Sequence, residues 1–163
     1  MSALAEIALK SPLVARAKVL LERIEQAKVT VGQVPYEWYP YDNMGNVAYI
    51  EALSAYAGLT LEGMAAGQPL LDIGCADGDL SFFLESLGYA VTAIDHAPTN
   101  ANDLRGVRAL KEALGSSIEI IDTDLDRGFT GVEPERLRVL LRSGGETVEG
   151  PVAALDQIGR AHV

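Results

Sequence analysis

Residues Pro69 to Ser81 read Pro-Leu-Leu-Asp-Ile-Gly-Cys-Ala-Asp-Gly-Asp-Leu-Ser, and this stretch constrains the fold more than any other. Leu70, Leu71 and Ile73 form a short apolar run suited to a strand buried on both faces. Gly74 ends the run and Gly78 follows four residues later. Leu80, Phe83, Leu84 and Leu87 then fall at helical spacing. A strand, a glycine turn and a helix follow one another. Such a turn lets a ligand approach the backbone, because no Cβ intervenes. The helix start aims free N–H groups and partial positive charge at the same place.

The details narrow the ligand. A dinucleotide fingerprint has glycines at G-x-G-x-x-G, whereas here the spacing is G-x-x-x-G with Ala76 between. Asp72, Asp77 and Asp79 surround the turn. Three carboxylates repel a pyrophosphate but suit a ligand carrying an amine and a sulfonium. Leu71-Asp-Ile-Gly-Cys-Ala-Asp-Gly78 resembles the first motif of the class I S-adenosylmethionine-dependent methyltransferases. The usual form of that motif has glycine where Ala76 stands, so the loop here is narrower by one methyl group.

The chain has 163 residues, enough for one domain with a real core. Its formal net charge is −10, so the overall balance does not advertise a nucleic-acid surface, although a local basic patch would suffice for one. Cys75 is the only cysteine, which rules out an intrachain disulfide. It sits inside the glycine turn. It reads as a small packed residue rather than a catalytic thiol, which would need a base such as His96. No signal peptide or membrane-length apolar run is evident, so a cytoplasmic protein is expected.

Ahead of the turn, Ser11-Pro12 has the form of an N-cap followed by proline at the first helical position. Val14, Ala17, Leu21 and Ile24 are expected to mark the buried face of a helix ending near Lys28. Val34 to Asp42 holds the single tryptophan and three of the six tyrosines, kept extended by Pro35 and Pro40. This segment either covers a small-molecule pocket or fills the gap between the first helix and the domain. Asn46 is expected to cap a helix with Val47, Ile50, Leu53 and Ala57 inward, ended by Gly58. Residues 63–68 read as a loop.

After the turn, Ala90 to Ile94 form a second strand with Asp95 at its carboxyl end. Open α/β sheets bind ligands at that end, and an acidic residue there can accept from both ribose hydroxyls. This is the second feature shared with the methyltransferases. His96 either flanks the adenine or is simply solvated. Pro98 to Asn102 is a turn and cap segment. Leu104, Val107, Leu110 and Leu114 outline a helix that Gly115 ends, and Ile118 to Ile121 a third strand. The acidic run Asp122-Thr-Asp124-Leu-Asp126 follows on the same rim. The resemblance implies that one of these acids holds the adenine amino group, Asp124 ahead of Asp122.

The pattern predicts an α/β fold: half of a Rossmann-like doubly wound parallel sheet with an N-terminal helical extension. Residues 1–62 form the extension and 63–130 the cofactor-binding half. Residues 131–157 are poorly patterned: Arg136, Arg138 and Arg142 break the one remaining strand candidate, Leu137 to Leu141. The C-terminal half of a seven-stranded sheet is therefore expected to be missing. The tail Ile158-Gly-Arg-Ala-His-Val163 resembles a translated sequencing-library adapter, consistent with truncation, and a frame error between Gly131 and Asp156 is a further explanation. More loosely, Glu37 to Asn46, Thr99-Asn-x-Asn102 and Leu114-Gly-Ser resemble bacterial methyltransferases of the wobble-uridine tRNA-modifying group.

The resemblance implies S-adenosylmethionine as cofactor. It implies a site of Asp72, Gly74, Ala76, Asp77, Gly78, Asp95, His96 and Asp124, with Asp72 orienting the turn or reaching the cofactor amine. No residue stands out as a general base and no metal is expected. The methyl acceptor is unassigned between tRNA and a small molecule. The alternatives are a nicotinamide-dependent oxidoreductase, which fits the ribose carboxylate but fails on glycine spacing, and a cofactor-binding fragment without turnover.

Overall fold

A computed structural model describes residues 11–56, 58, 60–65 and 69–127. The expectations for Ala57, 66–68, the arginine-broken strand candidate and the C-terminal tail lie outside the described residues.

Helix α1 spans Pro12–Val31, with the Ser11 side chain accepting from the Leu13 and Val14 N–H groups. The same hydroxyl donates to Glu51, so the cap also tethers the next helix. The buried face of α1 is Leu13, Ala17, Leu20, Ile24 and Ala27. Val14 and Leu21 are only half-buried. The expected stripe was therefore right at Ala17 and Ile24 and displaced by one residue elsewhere. The 4-3-4-3 spacing from Leu13 follows the long contact with neighbouring helices better than the 3-4-3 spacing from Val14. The helix also runs three residues past Lys28, to Val31, where Gly32 ends it at φ +80°.

A one-turn 3-10 helix, Met44–Asn46, leads into α2, Val47–Tyr56. Entry to this turn is held by Asp42, whose carboxylate accepts from the Met44 N–H at 2.9 Å, in place of the expected Asn46 cap. Val47 is buried and Ile50 packs against the core, but Leu53 is 70% exposed, contrary to expectation. Residues Leu61–Ala65, expected within or beside a loop, form the short helix α3. The Thr60 hydroxyl accepts from the Gly63 N–H at 3.0 Å and supports its first turn. Arg16 pairs with Glu62, and the Tyr89 hydroxyl donates to the Leu61 carbonyl at 2.6 Å, so α3 is fixed from both sides.

The sheet is parallel and ordered β1-β2-β3, from Pro69–Ile73, Ala90–Asp95 and Glu119–Asp122. Helix α4, Asp79–Ser86, joins β1 to β2, and α5, Arg105–Leu114, joins β2 to β3. This is the expected α/β arrangement, half of a doubly wound sheet. Helix α1 packs on α5, α2 and α4, and α4 packs on β2. One core unites Leu13, Ile24, Val47, Phe83, Val91, Ala93, Leu104, Val107 and Ile118.

Register explains the burial of β1. Asp72 pairs with Ala93 and Ala93 with Ile120, so these three share the face toward the core. Ile73, Ile94 and Ile121 form the matching row on the other face. Ile73 is 45% exposed, so the expected burial of β1 on both faces does not hold among the described residues. β1 is the edge strand there, and the alternation puts Asp72 inside.

Candidate functional site

The three strands end on one rim. The Gly74 N–H donates to the Ile94 carbonyl at 2.8 Å, and the Thr123 N–H donates to the Asp95 carbonyl at 3.0 Å. The glycine turn, the end of β2 and the acidic run after β3 are thereby brought together, as the sequence pattern anticipated.

Within the turn the two glycines do different work. Gly74 has φ +76°, and a Cβ built there would meet nothing within 4 Å, so it faces open space. Gly78 has φ +87°, but a Cβ there would lie 2.7 Å from Val107 and 3.1 Å from Phe82. Gly78 is thus a packing glycine between α4 and α5. Ala76 adopts φ 53° without being glycine. Asp103 and Leu104 are also at positive φ, 55° and 61°, so strained backbone flanks the rim at two places.

The aspartates divide by partner. Asp95 accepts three hydrogen bonds: at Oδ2 from Ala76 N–H and Asn100 Nδ2, each 3.0 Å, and at Oδ1 from His96 N–H at 2.8 Å. A carboxylate has about four acceptor positions, which leaves one on Oδ1. Asp72 is buried and takes the Ser81 hydroxyl at 2.6 Å; burial raises its pKa against the lowering by that bond. Asp77, 2% exposed, accepts Tyr39 N–H at Oδ2 and Asn102 Nδ2 at Oδ1, both at 2.8 Å. Asp79, 5% exposed, has an Oδ1 with no hydrogen-bond partner. Burial pushes its pKa up to about 6, against the pull of Lys28 and with help from Asp77, Asp42 and Glu25.

His96 stands between two acids of the β3 run, with Nδ1 3.6 Å from Asp122 Oδ1 and Nε2 4.0 Å from Asp124 Oδ2. Asp122 also accepts the Ala97 N–H at 2.9 Å, and Asp124 pairs with Arg127 at 3.2 Å. Cys75 is buried, and its thiol is pushed far up by burial and by the carboxylates of Asp72 and Asp95. It is a packed residue, and not a nucleophile. Among the described residues no cluster of three potential ligands could hold a metal ion. No described helix is long and apolar enough to cross a membrane.

The sequence left the aromatic segment open between two roles and gave Asn100 and Asn102 only as part of a turn and cap segment. The aromatic segment folds over the rim: the Tyr39 hydroxyl accepts the Ala101 N–H at 3.0 Å, and Tyr36 donates to the Arg105 carbonyl at 3.4 Å. Asn100 accepts from Asn102 N–H and Leu104 N–H, both 3.1 Å, while its amide donates to Asp95. Asn102, fully buried, donates to Asp77 and to the Glu37 carbonyl and accepts the Gly106 N–H. The signal was Asn-Ala-Asn itself: two short carboxamides beside a strand end are suited to holding backbone.

Residues 61–132 match the family model described as tellurite resistance protein TehB. No curated protein and no solved structure matches the chain. The match supports a class I S-adenosylmethionine-dependent methyltransferase, and methyltransferases of the TehB kind use S-adenosylmethionine as methyl donor.

Proposed function

We propose that this chain carries the cofactor half of a methyltransferase, with S-adenosylmethionine seated on the rim formed by Gly74, Asp95 and the acids after β3. The observation that carries the reading is the Asp95 carboxylate, held by three N–H donors and still presenting an acceptor on Oδ1, on the same rim as the open Gly74. In this reading one ribose hydroxyl uses that acceptor. A second hydroxyl has to share Oδ2 with Ala76 and Asn100. His96 and Asp124 border the adenine end, with Asp122 committed to the Ala97 N–H.

The donor set fits the group: hydroxyl acceptors on one side, and a turn without a side chain on the other. When bound, S-adenosylmethionine supplies an electrophilic methyl on a sulfonium. The chain's own residues bind and orient it and, through the aromatic segment, limit the access of water. Asp72 and Asp77 serve this indirectly, because their carboxylates hold Ser81, Tyr39 and Asn102. Ala76 contributes its N–H to Asp95, and Gly78 lets α4 approach Val107.

The looser likeness to wobble-uridine tRNA methyltransferases rested on Glu37 to Asn46, Thr99-Asn-x-Asn102 and Leu114-Gly-Ser. Asn100 and Asn102 hold backbone N–H groups and Asp77 here, which gives these two asparagines structural work that needs no RNA acceptor. The nicotinamide alternative is disfavoured by the Gly74-x-x-x-Gly78 spacing and by the family match. Isothermal titration separates the two: S-adenosylmethionine should bind with 1:1 stoichiometry, and Asp95→Ala should weaken it about tenfold or more. Binding of NAD without binding of S-adenosylmethionine would refute the assignment.

A further inference from the structure

We propose that Asp77 and Asn102 are positioning residues that clamp the aromatic segment onto the glycine turn, so that docking of this strap and binding of the adenosyl cofactor are one coupled event. The inference rests on the cofactor reading and adds a moving part to it.

The clamp joins three elements that are remote in sequence. Asp77 lies in the turn, and both its oxygens are engaged by neutral N–H donors: the Tyr39 backbone from the strap and the Asn102 amide from the loop before α5. Asn102 extends the chain of bonds to the Glu37 carbonyl at 3.2 Å and to the Gly106 N–H at 3.1 Å. A Cβ on Gly106 would sit 1.9 Å from Asp77 Oδ1 and 2.7 Å from Asn102 Nδ2, so α5 leaves just enough room for this pair. A buried carboxylate that loses one of two such donors is left with a large desolvation cost, which favours the docked strap.

The strap crosses the ligand rim. Its Tyr39 is bonded at the backbone to Asp77 and at the phenol oxygen to Ala101 N–H, within electrostatic reach of Asp95. The residue therefore bridges the glycine turn and the loop after β2, the two segments that would hold the cofactor. Pro40 and the edge contacts Tyr36–Trp38 and Tyr39–Tyr41 stiffen the strap, so its docking is a single event rather than several independent contacts. If binding requires the docked strap, apparent affinity falls in proportion to the docked fraction.

The test uses the full chain with Asp77→Asn, Asn102→Asp and the double exchange. Asp77→Asn leaves one of the two N–H donors facing an amide N–H, and Asn102→Asp sets two carboxylates face to face. The exchange restores a carboxamide-to-carboxylate bond between the positions, together with acceptors for Tyr39 N–H and Gly106 N–H, and turns the bond to the Glu37 carbonyl into an oxygen–oxygen contact that limits the recovery. Each single variant should raise the Kd for S-adenosylmethionine about tenfold and red-shift the emission of Trp38, the sole tryptophan, and the exchange should recover most of both. Singles within twofold of wild type, or an exchange no better than the worse single, overturn the clamp. Should the variants not fold, amide hydrogen exchange of the wild type decides. Saturating cofactor should slow exchange at the Tyr39 N–H, and an unchanged rate despite calorimetric binding overturns the coupling alone. Absence of calorimetric binding overturns the cofactor reading and the coupling with it.

Discussion

Replacing Asp79 by asparagine should stabilise the protein at neutral pH and do nothing in acid. Asp79 is buried at the first turn of α4, with an unpartnered Oδ1. It faces Lys28 and Glu25 of α1, Asp42 of the strap and Asp77 of the turn. Lys28 offsets the burial only in part, because its ammonium is bonded to Glu25 at 2.9 Å and lies 5.6 Å over the Trp38 ring. Burial pushes the carboxyl up to about 6, against 3.8 for a free aspartate. Between those values the folded protein keeps a proton that the unfolded chain has lost. The Asp79 contribution to stability therefore falls as pH rises from about 4 to about 6 and levels off above. The two-unit difference corresponds to about 3 kcal/mol at pH 7. Asparagine removes that cost and forfeits about 0.5–1 kcal/mol of favourable charge–dipole interaction at the helix start. The net gain is about 2 kcal/mol, or about 4–8 °C in Tm for a chain of this size. Thermal melts of both proteins from pH 4 to pH 8 would show the curves converging at the acid end. A variant less stable than wild type at pH 7, or equally shifted at pH 4 and pH 7, would refute the account of Asp79 as an uncompensated buried acid.

Gly106→Ala should cost about 3 kcal/mol, because its Cβ falls on the Asp77–Asn102 bond and one of the two must give way; a Tm lowered by less than 3 °C would show that the pair yields freely. Cys75 should resist a thiol reagent in the native protein at pH 8 and react at once in denaturant, since burial and the neighbouring carboxylates keep it protonated. Stoichiometric labelling of the native chain within seconds would contradict that packing.

Much of this molecule is set by local pattern. The apolar run at β1, Gly74 and the helical spacing of Leu80 to Leu87 specify strand, turn and helix, because each is a short-range choice of backbone. Asp95 was legible for the same reason: a strand end in a parallel sheet has a fixed relation to the turn of its neighbour. Side-chain allegiance was not legible. Asp72, Asp77 and Asp79 lie within eight residues and are chemically alike, yet one holds Ser81, one holds Tyr39 and Asn102, and one has an oxygen with no partner. The partners come from 9 to 38 residues away, and no period relates them. Likewise Val14 and Leu21 gave way to Leu13 and Leu20, because the neighbouring helices, and not the helix alone, choose which stripe is buried. Sequence determined which strand ends carry a glycine turn and a carboxylate. Tertiary structure decided which carboxylates keep an unused acceptor, since buried charges are allotted to whatever donors the fold brings within 3 Å.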